Sequence, residues 1–497
     1  MTSGSPFYHD ACMDAEGLRV KTLEAYRQGP DAIVALVAGL VAELAGRVTA
    51  LEAENASLRA RLNLTSRNSS KPPSSDGPGS KPQPKSQRTP SGRKSGGQPG
   101  HPGHTLRLVE DPDEVQVHAP AHCQGCGRSL ADVAAVRRER RQVMDLPPVK
   151  VQVVEHQAEI KCCPGCGAET TGAFPEGVTA PAQYGPGVAT VGVYLNQQQL
   201  LPLERTCETL ADLFGCPIAE GTLGSMVAGC HERLSETEAV IKRGVAGADV
   251  AHFDETGVNI GGKTRWLHVA STPGLTFYAA HLKRGREAFD AVGVLPAFLG
   301  RAVHDGLPSY WRYEQCGHAL CNAHHLRELT FVEEELGQPW ARDLKELLLE
   351  MKDAVDWARR QGMAALPPKV RGAFARRYDA VLEAGFRANP PPEPTGKRGR
   401  TKRGKAGSLV DRLRKRKGAA LAFMEDFGVP FDNNQAERDL RMVKVRQKVS
   451  GCFRTSAGAD HFCRIRGYIA TLRKQGMSVL SGIRSAVSGE PLLPALS

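Results

Sequence analysis

The chain has 497 residues, enough for several domains each with a core of its own. Lys and Arg outnumber Asp and Glu by 65 to 54, and the resulting net charge of +11 favours polyanionic partners. No uninterrupted apolar run approaches the ~18 residues of a membrane span, and the start Met1-Thr-Ser-Gly-Ser lacks a signal-peptide pattern. No membrane partner and a cytoplasmic location are therefore expected.

In chain order, the first element is a heptad helix. Val34, Val41, Val48, Asn55 and Leu62 fall at a, and Val37, Leu44, Leu51 and Leu58 at d. β-Branched residues at a with Leu at d favour a parallel dimer, and a single Asn at a fixes register. Arg47 opposite Glu52 and Glu54 opposite Arg59 make the g and e positions self-complementary, while Gly39 and Gly46 weaken the helix. An amphipathic helix docked on its own protein is the alternative. From Asn63 to His104 a tract rich in Ser, Pro, Gly and Lys, with Asp76 its only acid, predicts a disordered basic linker able to track phosphates.

Two Cys-x-x-Cys-Gly knuckles follow, Cys123/Cys126 and Cys163/Cys166, amid alternating segments at 115–118 and 149–155. Four thiolates on two tight turns suit one tetrahedral structural zinc, and together with the strand-like segments predict a zinc ribbon. The choice between Cys162 and Cys163 rests on the x-x spacing alone. Of the 13 cysteines, four lie in these pairs, which points to reduced thiols and metal rather than disulfides. Residues 203–223, with Ala211 and Gly215 at a tight turn, resemble a helix-turn-helix, although a helical hairpin reads almost the same.

After Gly247 the pattern changes to strands. Val250–Gly257 reads as a buried strand ending in acids, two further strands follow, then a helical segment from Arg286 and a strand ending at Asp305. Three strands, a helix and two strands is the order of an RNase H-like core, an α/β fold with a mixed five-stranded sheet. Its first and fourth strands are neighbours, so Asp254 and Asp305 are expected at one edge. A helical insertion with a basic run at 395–405 comes next. Then Glu437, Arg441, Lys444 and Lys448 recur at helical spacing behind a capping Asp432 or Asn433. One carboxylate completing a metal site, with cations a turn or two away for phosphate, suits an enzyme that cuts or joins nucleic acid. Asp254, Asp305 and Glu437 would then hold two divalent ions about 3.5–4 Å apart for in-line phosphoryl transfer.

The expected boundaries are an N-terminal tail at 1–30, the coiled-coil helix at 31–62, the basic linker at 63–106, the ribbon at 107–178 and a helical DNA-binding region at 179–246. The core then runs over 247–330, is interrupted by a helical insertion at 331–428, resumes at 429–475, and leaves a C-terminal tail at 476–497.

Several motifs together resemble transposases of the bacterial insertion-sequence 66 family, over nearly the whole chain. They are Leu64-Thr-Ser-Arg-Asn-Ser-Ser-Lys-Pro-Pro-Ser-Ser-Asp76, Gly96-Gly-Gln-Pro-Gly-His, the paired knuckles, His252-Phe-Asp-Glu-Thr256, Cys321-Asn-Ala-His-His-Leu-Arg-Glu-Leu and Asn433-Asn-Gln-Ala-Glu-Arg438. The resemblance implies an Asp-Asp-Glu transposase acting on terminal inverted repeats, with Asp254, Asp305 and Glu437 as catalytic acids, magnesium or manganese as cofactor, and Lys444 at a basic position common in such enzymes. It also implies a nucleoid-associated location and a homodimer or higher oligomer, and leaves room for accessory proteins of the same element. Two other classes stay open: a DNA-binding regulator with an inactive core, and a nuclease without strand transfer.

Overall fold

The computed structural model describes residues 15–65, 67–69, 106–147, 149–391 and 403–496. Helix α1 (Ala15–Gln28) and helix α2 (Pro30–Leu62) open the chain, separated by Gly29 at φ +110°. Part of the expected N-terminal tail is therefore helical. Along α2, Val34, Val41, Leu44 and Leu51 are exposed. Pro30–Ala60 also meets the length and composition requirement for a membrane span, with a mean hydropathy of 1.8. The expectation drawn from uninterrupted runs missed this, because Glu43 and Arg47 interrupt the apolar residues of α2.

The end of α2 turns onto the body of the protein. Ala60 is buried in a cluster with Leu326, Leu329 and Phe331, and Leu64 packs against it. Asn63 donates to Glu335 at 2.8 Å, Arg67 pairs with Glu334, and buried Asn68 accepts the Thr65 N–H at 2.8 Å. The head of the expected linker is thus a docked turn, and residues 70–105 of that linker lie outside the described residues.

In the cysteine region β1 (Ile160–Cys162) and β2 (Glu169–Thr171) pair antiparallel, with Cys162 opposite Glu169, and His122 makes an isolated antiparallel bridge to Ser129 around the first knuckle. The alternating segments at 115–118 and 149–155 form no strands, and Val115, Val117, Val151 and Val153 are exposed. Alternation makes a strand only where an opposing surface covers one face, and none is present there.

Helices α3 (Pro186–Val193), α4 (Leu203–Phe214), α5 (Glu220–Arg233) and α6 (Ser235–Ala246) follow. Gly215 at φ +60° ends α4, and Leu210, Ile218 and Leu223 pack together at the turn. The central body is a five-stranded sheet of β3 (Val250–Ile260), β4 (Lys263–Ser271), β5 (Thr276–His281), β6 (Arg301–His304) and β7 (Gly317–Leu320), in the order β5-β4-β3-β6-β7. Strands β3, β4 and β5 are antiparallel, whereas β6 runs parallel to both β3 and β7. The first and fourth strands of the core are thus adjacent. Strand β3 does not end at its acids, however. Only its pairing with β6 ends at His252, while the β4 hairpin carries β3 on to Ile260.

Period-two alternation sends side chains to both faces. On one face Phe253, Phe277, Phe289, Phe298 and Tyr310 pack with α6 and with α7 (Arg286–Val292). On the other, Val258, Leu267, Val269 and Tyr278 meet α13 (Asn434–Ser450) and α14 (Ser456–Lys474). Ala436, Leu440 and Val443 of α13, spaced four and three apart, are buried there. Burying each Leu, Val or Phe contributes about 1.5–3 kcal/mol. At Gly467 a Cβ would lie 3.0 Å from the Thr276 carbonyl, so only glycine lets α14 lie so close to β5.

Between the two halves of this body come α8 (Asn322–Leu336), α9 (Pro339–Arg360), α10 (Pro368–Ala388), α11 (Lys405–Lys415) and α12 (Lys417–Glu425). All five contribute to a separate core around Leu344, Leu348, Met351, Tyr378 and Val410, α12 through Leu421, Phe423 and Met424. Ala422 of α12 in addition packs with Val303 and Ala319 of the sheet. The final segment is not a tail. Helix α15 (Val479–Val487), capped by Ser478, buries Ile483 and Ala486 against Ile465, Ile469 and Leu472, since its apolar residues recur at helical spacing. Val193, Val227 and Leu234 complete that cluster, so the helices at 186–246 share a core with α14.

Candidate active site

The site forms where α13 meets β3. Asp432, one residue before the N-cap Asn433, accepts the Asn434 N–H at 3.0 Å, while the N-cap side chain itself makes no capping bond. Asn433 does something else. Its amide nitrogen donates to the Phe253 carbonyl at 2.9 Å, its backbone N–H donates to the Cys321 thiol at 3.1 Å, and its carbonyl accepts the Glu437 N–H at 3.2 Å. The remaining amide oxygen lies 2.8 Å from His252 Nδ1. That oxygen can only accept, so His252 carries its proton on Nδ1. Burial lowers the pKa of His252 and keeps the ring neutral. One side chain thereby ties the start of the Glu437 helix to the strand of Asp254.

Asp254 is half-buried, and its Oδ1 accepts the Glu255 N–H at 2.8 Å. Burial first, then the charges of Glu255, Asp305 and Glu437, hold its carboxyl well above the usual aspartate range. Asp305 follows β6 directly, and its Oδ1 accepts the Leu307 N–H at 2.9 Å. Glu437 Oε1 is buried and accepts no hydrogen bond among the described residues; Arg327 lies 3.7 Å and His324 Nδ1 3.9 Å from it. Mutually repelling carboxylates with an orphaned oxygen are a donor set that fits divalent cations. Cys321, His324 and Glu437 also offer ligand atoms within 4.8 Å of one another.

The sequence reading assigned no role to Glu255. Its side chain is fully buried, receiving Arg284 Nε at 2.8 Å and the Tyr310 hydroxyl at 2.7 Å. Burial is the largest influence on its carboxyl and raises its pKa. Arg284 also reaches Asp305 at 3.7 Å. Its partners lie 29 and 55 residues away, and the sole signal in the sequence is an acid adjacent to Asp254 in the motif His252-Phe-Asp-Glu-Thr256.

The cations of α13 separate. Arg441 and Lys448 are exposed, but Lys444 is half-buried and donates to the Gly257 carbonyl of β3 at 2.7 Å. Arg446, not singled out in the sequence, lies 3.8 Å over the Phe453 ring.

The two knuckles are built alike. Cys123 and Cys163 donate N–H groups to Arg128 and Ala168 at 2.8 and 2.9 Å, and Gly127 and Gly167 close each turn at φ +74° and +75°. Cys163, not Cys162, occupies the turn. Hydrogen bonds from the backbone and from the paired cysteine lower the pKa of Cys123 and of Cys163, as suits thiolate ligands. Each knuckle presents two sulfurs, although among the described residues the four do not close into one cluster.

Residues 181–461, more than half of the chain, match the family described as "Transposase IS66 family". Residues 120–167, which include both knuckles, match the zinc-finger binding domain of transposase IS66. Residues 22–107 match a family of unknown function. No curated protein matches the chain. The chain belongs to the IS66 family of transposases. It is thus a DNA-binding, DNA-processing enzyme of an insertion sequence, carrying a zinc-finger domain.

Proposed function

We propose that the five-stranded body is an RNase H-like core and that the chain is an Asp-Asp-Glu transposase, with Asp254, Asp305 and Glu437 as its catalytic, metal-holding acids. The observation that carries this reading is the electrostatic influence of Asp305 and Glu437 on Asp254, near the end of the parallel pairing of β3 and β6, although among the described residues the three acids do not bring their ligand atoms within 4.8 Å of one another. Two magnesium or manganese ions at these groups would supply an activated water or 3′-hydroxyl and a counter-charge for the leaving oxygen. The chain itself contributes positioning. Asn433 and His252 hold α13 against β3, and Arg284 and Tyr310 hold Glu255 beneath Asp254. The exposed Arg441 and Lys448 offer phosphate contacts, with Lys444 behind them. The reaction is hydrolysis at the 3′ ends of the element, followed by attack of the freed hydroxyls on target DNA. We assign one structural zinc to Cys123, Cys126, Cys163 and Cys166, and terminal-repeat binding to the ribbon and the α4–α5 hairpin. The nine-part division of the chain stands as a proposal, with 15–28 helical and α15 joined to the body.

The exposed heptad of α2 assigns it to a parallel dimer with a second copy. Glu43 and Arg47 in mid-helix oppose a bilayer location, since charges at its centre are costly.

Cleavage of an element end in magnesium tests the core reading. Asp254→Asn and Glu437→Gln each abolish strand cleavage while end binding persists; full cleavage by either variant overturns the assignment. Joining of a labelled end to target DNA distinguishes the transposase from a nuclease.

A further inference from the structure

Asp305 borders a second feature, an open cavity of about 1030 Å³ between the loop after β6 and helix α11. The cavity wall carries Trp311, Arg312, Arg412, Lys415 and Arg416. Arg412 is neutralised by Glu328. Arg403 is paired with Asp411, whereas Arg312, Lys415 and Arg416 have no carboxylate within ion-pair distance among the described residues; against the lining acids Asp305 and Glu314 the cavity keeps a small excess of positive charge. Arg416, at the junction of α11 and α12, lays its guanidinium 3.6 Å from the centre of the Trp311 ring. The indole is itself fixed, with His318 at 4.7 Å and His304 at 5.2 Å. Those two imidazoles are hydrogen-bonded to each other at 3.0 Å, and the outer ring nitrogens contact the Gly306 N–H and the Tyr313 carbonyl.

The half-buried Arg416 guanidinium, centred over a supported indole, also lines the cavity and so can offer a planar surface to it. Such a plane stacks a nucleobase, and cations around it take the neighbouring phosphates. The volume is that of a ligand pocket, about 300–1,000 Å³, and does not admit a double helix. We propose that this cavity binds an unpaired DNA strand running on from the phosphate held at the acids, with one base stacked on Arg416 and its phosphates on Arg312 and Lys415. The inference rests on the transposase reading and names the part of the substrate held beside Asp305.

The test is fluorescence anisotropy with two labelled duplexes of the same sequence, one blunt and one with a short single-stranded thymidine 3′ extension, in the absence of divalent metal. The extension is expected to tighten binding about tenfold. Arg416→Lys retains the charge and loses the plane; it and Trp311→Ala bring the ratio of the two affinities to about one. Arg377→Ala, at an exposed ion pair on α10, retains the tenfold ratio. Trp311→Phe, expected to lower the ratio only in part, guards against misfolding of the alanine variant, as do melting curves of all variants. A ratio near one in the unmodified chain overturns the proposal, as does an Arg416→Lys ratio equal to that of the unmodified chain. Magnesium-dependent cleavage of an element end by the same preparation reports separately on the proposed Asp-Asp-Glu assignment: cleavage with a ratio of one discards the cavity alone, and a tenfold ratio without cleavage discards that assignment.

Discussion

The Asn433 amide is held between His252 Nδ1 at 2.8 Å and the Phe253 carbonyl at 2.9 Å, which fixes the first turn of α13 immediately beside Asp254. Glu437 lies one turn further along the same helix, so a rigid lever joins the two acids. Asn433→Ala leaves a buried N–H and a buried carbonyl without partners, at a cost of about 1–3 kcal/mol each. Urea denaturation should show that loss, and cleavage should fall more than end binding. Unchanged stability would mean that the junction is held by its apolar contacts alone.

Lys444 and its helical neighbours should behave differently toward salt. Arg441 and Lys448 are exposed, and replacing either with Ala should reduce the slope of log affinity against log salt by about one. Lys444→Ala removes instead the bond to the Gly257 carbonyl. Its main effect is on stability, about 1 kcal/mol, with little change in slope. Equal slopes for all three variants would return Lys444 to the DNA-contacting set.

Zinc content distinguishes the cysteines. Cys123→Ser or Cys163→Ser should remove the metal from the purified chain, as read by elemental analysis. Cys162→Ser should not, because Cys162 lies in β1 opposite Glu169 rather than in the turn. Zinc retained by the Cys163 variant would exchange the two assignments.

Oligomeric state tests α2. Replacing Leu44 and Leu51 with Ser should convert dimers to monomers in sedimentation, since both lie on the exposed stripe. A dimer that survives both changes would place the seam elsewhere.

What the sequence revealed depended on how local each signal was. Apolar runs closed by Asp254 and Asp305 predict β3 and β6, and the spacing of Glu437, Arg441 and Lys444 predicts a helix at α13. The continuation of β3 past its acids was hidden, because it depends on a hairpin partner rather than on the strand. Lys444 reads as a DNA ligand in sequence, since a backbone carbonyl as partner leaves no mark there. The contacts of Glu255 with Arg284 and Tyr310 are equally silent, being made only when distant segments meet. α15 is short, and its apolar face is matched only where α3, α5 and α14 meet it in the fold.

The helices α8 to α12 lie between Asp305 and Glu437 in the chain, and Ala422 of α12 packs beneath β6 and β7. Synthesis therefore delivers two acids early and the third only after an entire helical body. Domains fold as units during synthesis, N-terminal parts first. A nascent or prematurely terminated chain thus lacks Glu437, and on the proposed assignment its set of acids is incomplete until the polypeptide is nearly finished.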